Sequence, residues 1–142
     1  MDLKIKIKNV FKKNLNAFKN ILPMFIGIIL LINLIKVIFG NNFYKNILTN
    51  NTFLNSFILN GLGSIMAGNA MISYIIGQEM LANGIVLFLV LVFILAWVNV
   101  GFIQLPAESL ILDKKFAITR NIIAFLSNFL VAGITVLILG WI

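Results

Sequence analysis

Apolar and polar positions follow one another along this chain in long blocks. Over the first twenty residues Leu3, Ile7, Val10, Phe11, Leu15 and Phe18 recur at spacings of three and four among lysines, the pattern of an amphipathic helix. Residues 21–39, ILPMFIGIILLINLIKVIF, are a nearly unbroken apolar run. As a helix it would reach about 28 Å, close to the thickness of a bilayer's hydrocarbon core. Pro23 is expected in its first turn, where a missing N–H costs nothing. Residues 41–52 are polar and read as a loop or the start of an interfacial helix. Two short apolar arms, 53–60 and 70–81, then flank GLGSIMAGN at 61–69. Neither arm is a full span, so 53–82 is predicted as a glycine-broken hairpin, re-entrant or made of two short helices. Residues 84–105 form a further apolar run of about 33 Å closed by Pro106, and after a basic connector at 107–120 the last run occupies 121–142. The expected fold is therefore an all-α integral membrane protein. It has about three full transmembrane helices (21–39, 84–105, 121–142) plus the hairpin at 53–82, preceded by a basic amphipathic helix over 1–20.

Composition narrows the function. Of 142 residues 61% are hydrophobic and only 11% charged, and mean hydropathy is +1.08, values outside the range of soluble domains. Cysteine and histidine are both absent, which removes disulfides, thiolate chemistry, triads and the usual zinc and haem constellations. With four acids in the whole chain, a carboxylate-based enzyme is not expected either, and no metal or other cofactor is implied.

The net charge of +7 is a topology signal rather than a nucleic-acid footprint. Lys4, Lys6, Lys8, Lys12, Lys13 and Lys19 crowd the N-terminus and Lys114, Lys115 and Arg120 the later connector, leaving only Lys36 and Lys45 elsewhere. With the hairpin entering and leaving from one side, three spans put both basic groups on the cytoplasmic face. The expectation is a multi-pass protein of the cell (inner) membrane, N-terminus inside and C-terminus outside. The basic first helix either lies on anionic lipid or simply fixes this orientation.

Candidate chemistry lies in SIMAGNAMISYIIGQE, residues 64–79. Gly61, Gly63 and Gly68 allow a helix break, and a broken helix frees backbone groups that need protein or water partners. Beyond the break Asn69 and Ser73, and likewise Tyr74 and Gln78, stand four apart, so with Ser64 and Glu79 they form a candidate solute path. The same residues also suit helix packing, with small side chains allowing close approach and amides bonding across the interface. Lys36 either snorkels to the outer interface or pairs with Glu79. A second polar group, Asn99, Gln104 and Glu108, marks the cytoplasmic end of the 84–105 run around Pro106, with Glu108 expected to be solvated or paired with Lys114 or Arg120.

GNAMISYIIGQE, FILAWVNVGFIQLPAE and KKFAITRN together resemble the C-terminal half of small archaeal and bacterial predicted permeases, relatives of the organoarsenical and metal efflux permeases. The resemblance covers about residues 61–125. It is carried by Asn69, Ser73, Tyr74, Gly77, Glu79, Trp97, Gly101, Gln104, Pro106, Glu108, Phe116, Arg120 and Asn121. Ala70 stands where the pattern has proline and Gln78 where it has glycine. Nucleoside-recognition gate proteins are the competing resemblance. The permease likeness implies a subunit that moves a small solute or ion and works as a homodimer or beside a second permease half. The alternative is a non-transporting membrane scaffold or partner subunit in which the polar cluster only packs helices.

Overall fold

The computed structural model describes residues 3–39, 48–66 and 69–140, apart from the side chains at 3–8, 21, 24–25, 35–36 and 39. It divides into two compact units, 1–40 and 41–142. In the first, helix α1 (Leu3–Phe39) runs without interruption for 37 residues. The basic amphipathic stretch and the apolar run are thus one helix, and Pro23 lies inside it rather than in a first turn. There its ring removes a backbone hydrogen bond, and the helix continues past it.

The second unit contains α2 (Thr52–Ile65), α3 (Ala70–Ala82), α4 (Leu87–Asn99), α5 (Leu105–Ile111) and α6 (Lys114–Leu139). Asn51 caps α2 by accepting from the Phe53 N–H at 3.0 Å. A tight turn with Gly84 at φ +82° reverses the chain between α3 and α4, where the Ile85 N–H donates to the Met80 carbonyl at 3.1 Å. The end of α2 lies beside the end of α4, since the Phe102 N–H reaches the Ser64 carbonyl at 3.2 Å. Accordingly α2 and α4 run one way, and α3 runs back. Against α4, α6 is antiparallel: Asn99 meets Asn128 while Gly101 meets Asn121.

α4 (LFLVLVFILAWVN) is apolar on nearly every face, and a helix of that kind needs cover on all sides. It receives it: Leu89, Val90, Phe93 and Trp97 join Leu59, Met80 and Ile85 in the core, and Val92 and Ala96 are wholly buried. Around this centre the usual polarity is inverted. α2 buries Asn55, Ser56, Asn60 and Ser64 while exposing Phe53, Leu54, Phe57 and Leu62. α6 buries the stripe Ala117, Asn121, Asn128 and Ala132 and exposes Ile118, Ile122, Leu126 and Leu130. Water would penalise such helices, whereas a hydrocarbon solvent favours small and amide-bearing inner faces under aliphatic outer ones.

The expectation of about three full transmembrane helices is overturned. Among the described residues α6 alone is long and apolar enough to cross a membrane, at 26 residues or about 39 Å. The run 84–105 is cut short: α4 has 13 residues, about 20 Å, and ends where the Val100 N–H caps back onto the Ala96 carbonyl. A turn follows, closed by the Gln104 N–H on the Gly101 carbonyl at 3.1 Å, and α5 starts with Pro106 in its first turn. Hydropathy registers the apolar content of 84–105 but not this change of backbone direction. The run 21–39 is the second half of the lysine-bearing α1 rather than a helix of its own. The last run begins at Lys114 rather than Asn121, so the expected connector is α5, a two-residue link and the first turns of α6. Charge parity over three crossings loses its basis, since one helix among the described residues is long and apolar enough to cross.

Candidate functional site

Two interruptions of helical backbone face each other. α2 ends at Ile65, with Met66 already extended, and α3 begins at Ala70 after the Asn69 cap, while residues 100–104 separate α4 from α5. The bond from the Phe102 N–H to the Ser64 carbonyl ties the 100–104 turn to the last turn of α2. Gly63 makes the approach possible: a Cβ there would stand 2.6 Å from the Phe93 carbonyl oxygen and 2.8 Å from the Ala96 Cβ. At this junction lies a cavity of about 100 Å³, walled by Ser64, Met66, Ala70, Trp97, Gly101 and Gln104 among others. No charged side chain of the described residues lines it.

The predicted path residues separate around this cavity. Ser64 is buried in its wall, and its hydroxyl donates to the Gly61 carbonyl at 2.7 Å. Asn69 is exposed and caps α3, accepting from the Met71 N–H at 3.0 Å. Ser73 is completely buried but turns its hydroxyl back onto the Ala70 carbonyl at 2.7 Å. Tyr74 and Gln78 are exposed. Glu79 is half-buried at the other end of α3, where Asn83 Nδ2 donates to both its carboxylate and its main-chain carbonyl. Ser64 is therefore the member of that strip that reaches the cavity wall. The expected Lys36 to Glu79 pair lies outside the described residues, because the Lys36 side chain is not among them.

The second predicted group does assemble. Gln104 lines the cavity and stands against Gly101, where a Cβ would meet its Oε1 at 2.9 Å. Glu108 on α5 is ion-paired with Arg120 on α6 and also accepts from Asn121 Nδ2 at 3.5 Å. Asn121 is buried and bridges two elements. Its Oδ1 accepts from the Gly101 N–H at 2.9 Å, and its Nδ2 donates to the Ala117 carbonyl at 2.9 Å. Arg120 reaches on to the Asn99 carbonyl at 3.4 Å. These bonds pin the 100–104 turn and α5 onto the base of α6.

Sequence reasoning missed an amide ladder behind this group. Asn99 Nδ2 donates to Asn128 Oδ1 at 3.3 Å, Asn128 Nδ2 to Asn60 Oδ1 at 3.0 Å, and Asn60 Nδ2 to the Phe125 carbonyl at 2.9 Å. Asn60 and Asn128 are fully buried. The signal is present in the sequence as single amides inside apolar stretches, residues costly in lipid unless partnered. Phe57 stacks beside the ladder on Phe125 and Phe129.

Comparison with family models, curated proteins and solved structures finds no match. The likeness to small permeases therefore stands on its motif residues alone.

Proposed function

We propose that this chain is a permease-like subunit of the cell (inner) membrane, and that its solute path passes the junction of the two helix interruptions rather than the outer face of α3. The observation that carries the reading is the hydrogen bond from the 100–104 turn to the last turn of α2, Phe102 N–H to Ser64 carbonyl, beside a cavity with polar groups in its wall. Discontinuous helices meeting in this way are how many transporters form a solute site inside a bilayer, because the freed backbone groups serve as ligands. The inverted polarity of α2 and α6 supports a lipid surrounding. In this arrangement α6 crosses the membrane with Lys114, Lys115 and Arg120 at its cytoplasmic end and the C-terminus outside. A second copy, or another permease half, completes the path.

One observation favours a second reading. Every amide of the Asn60, Asn99 and Asn128 ladder is spent on another helix, as a scaffold subunit requires. Single-cysteine accessibility separates the two in a chain that has no native cysteine. Cysteine is placed in turn at Ser64, Ser73 and Gln104 and treated with a membrane-impermeant thiol reagent. Labelling at positions 64 and 104 with protection at 73 is the result expected of the permease. Protection at all three favours the scaffold.

A further inference from the structure

The first half of α1 carries a pattern that the solute path does not use. At 3.6 residues per turn, Val10, Phe11, Leu15 and Phe18 fall on one side of the helix and Asn9, Asn16 and Asn20 on the opposite side. Lysine occupies the borders between the two. Lys12 and Lys19 lie along one border and Lys13 along the other, and the sequence repeats this register earlier, with Lys8 four residues before Lys12 and Lys6 seven before Lys13. Asn14 and, in the first turn, Lys4 interrupt the apolar side. Beyond Asn20 the division into sides ends: Ile29, Leu30 and Leu31 follow one another around the helix and are all exposed.

Two needs of this stretch are unmet within its own helix. Phe11 and Phe18 are 70% and 69% exposed, and Val10 and Leu15 are each more than half exposed. Leu15, Phe18, Leu22 and Ile26 line a shallow apolar groove along α1, with Lys19 beside it. The lysines, for their part, find no counter-charge on α1, which contains no acidic residue. An anionic lipid leaflet supplies both at once, with acyl chains for the apolar side and phosphates for the ammonium groups. The placement of the lysines suits a flat boundary. A lysine at a border can lay its stem over apolar surface and hold its charge at the headgroups, while the asparagines between the borders keep water.

We propose that residues 3–20 of α1 are a docking surface for an anionic lipid leaflet. Phe11, Leu15 and Phe18 enter the acyl boundary, Lys12, Lys13 and Lys19 hold lipid phosphates, and Asn9, Asn16 and Asn20 face water. A soluble anion would satisfy the lysines alone and leave the apolar side uncovered, so the partner is the lipid surface. The inference goes beyond the permease reading and does not rest on it, because docking needs only the charge and the two-sidedness of this helix.

The test uses the full-length protein, which has no native cysteine, reconstituted in vesicles. Single nitroxide labels are attached through Asn9→Cys, Phe11→Cys, Asn16→Cys or Phe18→Cys. Their collisions with oxygen, which concentrates in lipid, are compared with their collisions with a water-soluble nickel chelate. In vesicles of equal parts phosphatidylcholine and phosphatidylglycerol, labels at 11 and 18 should meet oxygen and labels at 9 and 16 the chelate, the first pair lying deeper by about 5–10 Å. Each lysine near an anionic surface favours the docked state about fivefold, so Lys12→Gln, Lys13→Gln and Lys19→Gln together should lower the docked-to-free ratio on the order of a hundredfold. Labels at 11 and 18 should then meet the chelate as often as those at 9 and 16, and the same is expected in phosphatidylcholine alone. Lys12→Arg, Lys13→Arg and Lys19→Arg together keep the charge and should keep the docked pattern. Equal chelate access at all four positions in the mixed vesicles overturns the proposal. So does exclusion of both reagents at 11 and 18, which would mean that protein, a second copy or another part of this chain, covers the face. An oxygen-rich pattern that persists in phosphatidylcholine alone or in the triple glutamine variant also overturns it, since apolar insertion would then suffice without anionic lipid.

Discussion

Asn128 on α6 and Asn60 on α2 bond side chain to side chain at 3.0 Å, 68 residues apart in sequence and without solvent contact. Among the described residues the pair joins the one helix able to cross a membrane to the first arm of the hairpin. Asn128→Leu leaves the Asn60 Oδ1 unsatisfied, and an unpaired buried acceptor costs about 1–3 kcal/mol. Asn60→Leu additionally strips the bond to the Phe125 carbonyl. The double variant should lose less than the sum of the two, with a coupling of roughly 0.6–2 kcal/mol, because it leaves neither partner waiting. Unfolding of all four proteins in micelles measures this coupling. Strict additivity would show that the two amides do not act as a pair.

The glycines of the hairpin make opposite predictions. Gly63→Ala puts a methyl into the backbone of α4, which cannot swing aside as a side-chain tip can. A loss of about 1–3 kcal/mol is expected. A Cβ at Gly77 would meet Ile94 Cδ1 at 2.7 Å, a movable end, so Gly77→Ala should cost less. Gly61 is helical with nothing within 4 Å of such a Cβ, and Gly61→Ala should be neutral or gain up to about 1 kcal/mol. Melting temperatures in that order would place the close helix contact at residue 63.

Capping and solute binding are separable on α3. Asn69→Ala removes the acceptor for the Met71 N–H and should cost about 1 kcal/mol, which Asn69→Asp or Asn69→Ser restores. Ser73→Ala deletes a hydroxyl that serves only the Ala70 carbonyl one turn back, so solute flux and stability should both stay within error. Flux that collapses in Ser73→Ala with an unchanged melting temperature would return the path to the strip along α3.

Which features are legible in the sequence depends on whether a side-chain pattern determines them. Helical content follows from apolar spacing, but Gly61 and Gly63, expected at the break, lie inside α2, which runs on to Ile65. Charge limits the candidate partners of Glu108 to Lys114 and Arg120, and the choice of Arg120 comes from the structure. The interruption at 100–104 is hidden because Val100, Phe102 and Ile103 are as apolar as a span requires, and the backbone turns at Gly101, whose N–H donates to Asn121 Oδ1. The strip of Asn69, Ser73, Tyr74 and Gln78 looks convergent from spacing alone. Spacing gives the face of a helix but not the hydrogen bonds, and Asn69 and Ser73 satisfy themselves locally. Asn60 and Asn128 escape notice for the converse reason: each stands alone in an apolar stretch, and its partner is on another helix.

The ion pair fastening α5 to α6 should behave as a surface pair. Glu108 is 17% exposed and Arg120 39%, so solvent screens the attraction and each of Glu108→Gln and Arg120→Gln should cost about 1 kcal/mol or less. The exchange Glu108→Arg with Arg120→Glu should recover part of the loss, although the bonds to Asn121 and to the Asn99 carbonyl are not reproduced in the swapped pair. The pair contributes position more than stability, and its removal should raise thiol labelling at a cysteine placed at Gln104. Unchanged labelling would mean that Asn121 alone holds the turn.

Asp113 supplies the last prediction. It links α5 to α6 at φ 107° and ψ 141°, in a region that side chains avoid, and its carboxylate makes no cap bond to α6. Nothing is therefore lost with the side chain, while the backbone conformation is one that glycine adopts freely. The strain relieved is on the order of 1–3 kcal/mol, offset by the greater unfolded-state entropy of glycine at about 0.5–1 kcal/mol. Asp113→Gly should thus raise stability by roughly 1 kcal/mol, and Asp113→Val should lower it. A stabilised Asp113→Gly protein with reduced solute flux would show that the link is held under tension so that α5 can move against α6. Unchanged flux would make the strained link a cost of the short connection alone.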